Sequence, residues 1–434
     1  MSRSGERGRL SYRNKKEKTD LKSNQGRMEL TLKRRHFLQL SAGWALGAMA
    51  GFRTWARSRD RVIIVGGGIV GASVCYRLSQ RGAQVTLLEK SQPAAGATGK
   101  SFAWINANFS KQPRHYHALS RLGVHAFRNL QQELGAELPV QWGGTVEWYA
   151  NPERAEELRR MARQQQEWGY PIRFIDDQEL ARLEPRVSPG KTVTTAFSEI
   201  EGSVDSAAAT RLLLRRAQTA GANILYPCGV EGITLNAEHG VALKTTQGDF
   251  HCDVVVLACG VNTPKLAALA GVHAPLVPSA GIVVRTAPQP KWIQRVLVTE
   301  DSHFRQQADG RVVLGDDYGP PATDVHKQLA LEPQDFPDPS LAELHGERIR
   351  AQATRYLAPL ARAHIDKVSL CWRPLPKDGF PIVGFTPRTP QVYLAVTHSG
   401  VTLGPLLGEL AALELLDGVQ VDILEPYRPA RFAG

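Results

Sequence analysis

Apolar runs and helical spacing alternate along the chain from residue 61 onward. Arg61-Val62-Ile63-Ile64-Val65 is rich in β-branched residues and predicts a buried strand. Ile69, Ala72, Cys75 and Leu78 then recur at helical spacing, Arg81-Gly82-Ala83 ends that helix, and Gln84–Leu88 predicts a second strand. Further on, Arg154–Trp168 is charged and helical, and Ala207–Ala220 predicts another helix. Asp253–Leu257 reads as a hydrophobic strand running into Ala258 and Gly260. Gly281–Arg285 and Arg311–Leu314 have β-type texture, and the Pro-rich stretch 333–339 reads as a loop. Near the end, strand Val392–Val396 leads through His398 to Gly404 into an apolar helix reaching Leu416. There are no internal repeats. Strands alternating with helices place the chain in the α/β class.

Residues 1–60 differ from this texture. Residues 1–27 are polar, charged and aperiodic, and are expected to be disordered. From Met28, a basic stretch with Arg34-Arg35 precedes Phe37–Phe52, which holds no acidic or basic residue, and Ala48-Met49-Ala50 supplies a small-residue cleavage site. The apolar stretch is shorter than the ~20 residues a bilayer span needs. Arg-Arg followed by Phe-Leu resembles a twin-arginine export signal over residues 28–50, departing from it at Lys33 and Gln39. That resemblance implies a periplasmic protein loaded with its cofactor before export. An uncleaved membrane anchor is the alternative, and Met28 is a second candidate start.

Charge then changes meaning. The 434 residues carry 53 Lys+Arg and 42 Asp+Glu, a net +11. Residues 1–60 hold 15 basic and 5 acidic residues, so the body is close to neutral. No nucleic-acid surface is expected on it. The composition is 42% hydrophobic, which excludes a disordered chain. The five cysteines form no CxxC pair, so neither a disulfide framework nor a metal site is expected.

Gly66, Gly68 and Gly71 form G-x-G-x-x-G between the first strand and the first helix. The spacing allows a tight turn, close approach of a pyrophosphate, and close helix–strand packing, with the helix N-terminus facing the phosphates. Glu89 closes the second strand, where a carboxylate would take ribose hydroxyls. A nicotinamide enzyme ordinarily completes such a domain in one block. Here the pieces lie apart: the small-residue loop Ala95–Ser101, the strand near 254–260, and the segments around 378–384 and 392–404.

Taken with Arg373-Pro374, Asp378-Gly379, Pro381, Gly384 and the Gly400/Gly404 loop, these pieces resemble the FAD-dependent amine and amino-acid oxidoreductases, the family of D-amino-acid oxidase, glycine oxidase and sarcosine oxidase. Gly202–Asp205 adds to the likeness. The resemblance implies a Rossmann-like FAD-binding domain from 58–120, 196–280 and 366–434. Interleaved with it would be an antiparallel-sheet, α+β substrate domain from 121–195 and 281–365. It implies FAD contacts from Gly66, Gly68, Ile69, Val70, Gly71, Glu89, Lys90, Ala97, Thr98, Gly99, Ser101, Val230, Ala258, Gly260, Gly400, Val401 and Thr402.

The implied reaction is oxidation of the C–N bond of a small carboxylated amine by hydride transfer to flavin N5, the imine then being hydrolysed. Oxygen or a respiratory acceptor would take the electrons. A planar guanidinium suits a carboxylate, and Arg373 matches the family's carboxylate-binding arginine, with a structural ion pair as the alternative. His398 is the second catalytic candidate, and a structural hydrogen bond is its alternative. Cys371 stands where sarcosine-oxidase-type relatives attach flavin covalently, against the reading of a small buried hydrophobe. Two further functions stay open: a flavin dehydrogenase for a hydroxy acid, and an FAD-binding electron-transfer subunit.

Overall fold

The computed structural model describes residues 61–108, 111–236, 240–277, 279–316, 336 and 338–432, with Cys371 described in its backbone only. The expected disordered segment and export signal, and most of the 333–339 loop, lie outside the described residues.

A six-stranded sheet forms around the first strand, Arg61–Val65. In order its strands are Ile382–Phe385, Val392–Val396, Val254–Leu257, Arg61–Val65, Gln84–Leu88 and Asn223–Leu225. All neighbours pair in parallel except the first two. Side chains alternate across a strand, and the central strand uses both faces. Val62 and Ile64 pack into the core under the first helix (Ile69–Gln80), the helix Ser206–Thr219 and the C-terminal helix (Gly400–Asp417). Ile63 and Val65 instead meet Ile233, Val241 and Leu243 of an antiparallel meander, Val230–Cys252, and Ala267 of the short helix Thr263–Leu269. A strand covered on both faces must be apolar throughout, which is why Val62–Val65 shows no alternation.

The second sheet has eight strands: Ile365–Trp372, Ala280–Thr286, Val312–Gly315, His303–Gln306, Val296–Val298, Thr145–Tyr149, Thr194–Ser198 and Ile172–Phe174. It is antiparallel except where Val296–Val298 runs parallel to Thr145–Tyr149. Ile282, Val284, Leu314 and Leu370 on one face bury Ile349 and Ala353 of the helix Pro339–Thr354. Val283, Val298 and Val313 on the other pack with Phe102.

The boundaries expected at 120/121, 195/196, 280/281 and 365/366 each fall inside an element. These are the helix Arg114–Leu134 and the strands Thr194–Ser198, Ala280–Thr286 and Ile365–Trp372. The last belongs wholly to the eight-stranded sheet, and the helix Arg114–Leu134 packs in the core of the six-stranded one. Among the described residues, no helix is long and apolar enough to cross a membrane.

Candidate active site

The turn after the first strand is built on close backbone approach. Gly66 has φ +114°, and a Cβ there would lie 2.4 Å from the Ala258 carbonyl oxygen. A Cβ at Gly71 would lie 2.0 Å from the Gly66 carbonyl oxygen. Strand, turn and helix are therefore as tight as the spacing predicts. They open onto a cavity of about 610 Å³, within the ~300–1,000 Å³ range of small-molecule and cofactor sites. The first helix starts at Ile69 with no acidic side chain in its first turn, leaving its positive end to face an anion. Glu89 lines the cavity. Its Oε2 accepts from Gly67 N at 2.8 Å and its Oε1 from Ser91 N at 2.9 Å, which fixes the carboxylate and leaves lone pairs for hydroxyls. Thr98 Oγ1 accepts from Ile69 N at 3.0 Å and ties the small-residue loop to the helix start.

Of the residues expected at a cofactor, Gly66, Gly68, Ile69, Val70, Glu89, Lys90, Ala97, Thr98, Ser101, Val230, Ala258, Gly260, Gly400 and Val401 line this one cavity, as does His398. Gly71, Gly99 and Thr402 stand behind its wall. Gly99 lies against the Ala94 carbonyl. Thr402 Oγ1 accepts from Asn106 N and donates to Trp104 O, both at 3.2 Å. The Cys371 side chain lies outside the described residues. Gly404 has a different task from the one its loop suggests: a Cβ there would lie 3.2 Å from Ile69 Cγ1, and one at Gly408 would lie 2.6 Å from Ser73 O. The glycines at 404 and 408 let two helices touch; the free N–H groups belong to the helix start at Gly400 and Val401.

Across the cavity, Leu370, Trp372 and Pro374 form a wall from the eight-stranded sheet and its exit. Arg373 sits between the last two. Its guanidinium lies over Gly281, where a Cβ would come within 2.7 Å of Nε and Nη2. Its charge acts on two histidines. His303, edge-on to Phe102 at 4.4 Å, is pushed down to about 3 by burial and then by the charge of Arg373. His398 is pushed down to about 3 by burial, then by Lys111 and Arg373. The His398 ring has exposed surface and lines the cavity. Dense protein and two cations surround it otherwise, and the downward direction follows from them. Both imidazoles are neutral at pH 7.

Sequence reasoning missed the groups that hold this wall. Buried Lys111 donates from Nζ to Ser399 Oγ at 2.6 Å and lies over the Tyr116 ring; Tyr116 Oη shares that hydroxyl at 2.8 Å. Glu201, fully buried, accepts from Ala107 N and Asn108 N at 2.8 Å and from Tyr170 Oη at 2.7 Å. Burial raises its pKa against those donors. Glu201 thereby fixes the segment 104–108, so Asn106 and Asn108 are packed rather than displayed. His115 and His117 are likewise structural, bonded to Tyr427 Oη at 2.7 Å and to the Ala107 carbonyl at 2.8 Å. No group of three metal-ligating side chains occurs among the described residues.

A parallel sheet whose first turn opens on such a cavity, with a second sheet closing the far side, defines a dinucleotide-dependent oxidoreductase. The two glycine positions that no Cβ could occupy and the anchored Glu89 fit an adenine dinucleotide. The sequence pattern of the family described as FAD dependent oxidoreductase (DAO) matches residues 61–413, and the chain belongs to that family. FAD is its cofactor. The chain is 24% identical over 389 residues to glycine oxidase of Bacillus licheniformis, covering 86% of this chain and 98% of that one. It is 26% identical over 378 residues to 4-methylaminobutanoate oxidase (formaldehyde-forming) of Paenarthrobacter nicotinovorans, covering 82% of this chain but 44% of that one. The chain thus spans less than half the length of that relative. The crystal structure of glycine oxidase from Geobacillus kaustophilus has the same fold, with a TM-score of 0.76 at 22% identity, covering 86% of this chain and 99% of that one.

Proposed function

We propose that the protein oxidises the C–N bond of a small carboxylated amine of the D-amino-acid, glycine or sarcosine type, passing electrons to oxygen or a respiratory acceptor. The observation that carries this reading is the place of Arg373 between Trp372 and Pro374 of the wall, its guanidinium over Gly281, with the neutral His398 on the same dinucleotide-sized cavity. A guanidinium fork binds a carboxylate through two parallel hydrogen bonds and sets the orientation of the α-carbon. His398, uncharged at neutral pH, keeps one ring nitrogen as an acceptor for an amine N–H. Trp372 and Leu370 exclude water from the same wall. Bound FAD supplies the two-electron acceptor; the protein supplies position and electrostatics. The names of glycine oxidase and 4-methylaminobutanoate oxidase both denote carboxylated amines, which supports the substrate class.

Anaerobic mixing of the holoenzyme with a panel of amino acids, N-methyl amino acids and 2-hydroxy acids tests the reading. Bleaching of the flavin by a carboxylated amine, with no response to hydroxy acids, is expected. Bleaching by hydroxy acids alone would reject it. We also propose that the chain is exported to the periplasm, touching the membrane only through its signal. Cell fractionation with N-terminal sequencing tests this: an unprocessed cytoplasmic protein would contradict it.

A further inference from the structure

A second cavity, of about 200 Å³, shares no lining residue with the first. Arg211, Arg285, Arg305 and Arg311 contribute to its lining, against Asp205 and Asp309. The two carboxylates are already engaged. Asp309 pairs with Arg311 at 2.7 Å, and Arg311 also reaches Asp366 at 3.3 Å. Asp205 caps a helix by accepting from Ala208 N at 2.9 Å.

Arg305 is the decisive group. It is 2% exposed, and its Nε and Nη2 donate to the carbonyls of Phe102 at 2.6 Å and Val204 at 3.2 Å. Its Nη1, also buried, has no hydrogen-bond partner among the described residues. Burial and then the like charge of Arg285 pull the guanidinium down to about 9, against a smaller upward pull from Asp205 and Asp309. Its direct partners are two carbonyls, which supply partial charge only, and neither Asp205 nor Asp309 hydrogen-bonds it among the described residues; a buried cation beside another cation is costly unless an anion joins it directly. The cavity provides the room, and guanidinium forks match a tetrahedral oxyanion.

We infer that this cavity binds a small dianionic oxyanion of phosphate size, separately from the flavin. The site touches the cofactor loop from behind. Arg285 Nη2 donates to the carbonyls of Gly99 at 3.2 Å and Ser101 at 2.9 Å, and Arg305 holds that of Phe102. Lys100 and Ser101 line the dinucleotide cavity on the other side. An anion that fixes these two arginines therefore stiffens the wall against FAD.

Calorimetric titration of the FAD-loaded protein with inorganic phosphate, at ionic strength held constant with chloride, tests the site. FAD occupies the dinucleotide cavity, so its phosphate-binding turn does not compete. One saturable site is expected. Arg305→Gln and Arg211→Gln should each weaken it about tenfold or more, the loss of one charge-assisted contact, and Arg211→Gln, which removes no bond to the cofactor loop, should leave flavin content unchanged. Arg211 lies on an exposed position of the helix Ser206–Thr219, so its variant decides the matter if Arg305→Gln does not fold. In the native protein phosphate should also slow flavin release. The absence of a saturable heat, or an affinity unchanged in the folded variants, would overturn the inference.

Discussion

Gly71→Ala and Gly68→Ala separate the two tasks of the glycine turn. An added Cβ at 71 would stand 2.0 Å from the Gly66 carbonyl oxygen, where real Cβ atoms do not come within 3.0 Å. Roughly 1 Å must open, and neither side yields readily. Gly66 is held by its N–H to the Leu88 carbonyl at 2.8 Å and by its approach to Ala258. The first helix is braced from behind by the C-terminal helix, in contact at Gly404 and Gly408. Overpacking of this kind costs ~1–3 kcal/mol and sometimes more, and a backbone-to-backbone clash belongs at or above about 3 kcal/mol. An added Cβ at 68 meets only Thr98 Oγ1, at 3.1 Å. That side chain can turn away, so stability should fall by less than about 1 kcal/mol. The same Oγ1 holds the loop to the helix start, and its displacement should weaken FAD binding about tenfold. Denaturant unfolding of the flavin-stripped proteins reads the first effect and flavin-fluorescence titration the second. A Gly71→Ala protein with an unchanged midpoint would refute the packing argument, as would equal destabilisation by the two variants.

Other parts of the structure make further predictions. Arg428 bonds both oxygens of Glu414, at 2.9 and 2.5 Å, in a pair joined by Tyr393 Oη at 2.8 Å. Arg428→Ala should cost about 3–5 kcal/mol by stranding the buried carboxylate, and Arg428→Leu/Glu414→Leu should recover much of it; a double variant no better than the single would count against this. His303 is neutral in the folded protein and protonated in the unfolded one between about 3 and its ordinary 6.5. The unfolded state therefore binds more protons, and stability from this group falls as pH drops through that window. The melting temperature of His303→Gln should decline less than that of the native protein from pH 6.5 to 4; parallel curves would argue against a neutral imidazole in the folded protein.

What the chain discloses in advance follows the range of the forces involved. The first strand, turn and helix are legible because β-branched runs and glycine spacing act over a few residues. Glu89 is legible for the same reason, at the end of the next strand. Gly404 reads as part of a cofactor loop, but its lack of a side chain serves a helix contact with Ile69, 335 positions earlier in the chain. Lys111, Glu201 and His303 carry no local pattern at all. Lys111 meets Ser399 across 288 positions and Glu201 meets Ala107 across 94, so these contacts exist only in the folded chain. The domain limits that the resemblance implies carry no local mark either: helix Arg114–Leu134 and strand Ile365–Trp372 run unbroken through two of them.

In the proposed reaction Arg373 holds the carboxylate of an amine whose electrons enter the flavin. Stopped-flow flavin reduction under anaerobic conditions tests it, comparing a carboxylated amine with its decarboxylated counterpart in native and Arg373→Lys proteins. The native protein should be reduced far faster by the carboxylated amine. The variant should keep its FAD and lose substrate affinity by about two orders of magnitude, as expected for one bidentate charged contact. Equal reduction by both amines, or unchanged affinity in the variant, would rule out this role for Arg373.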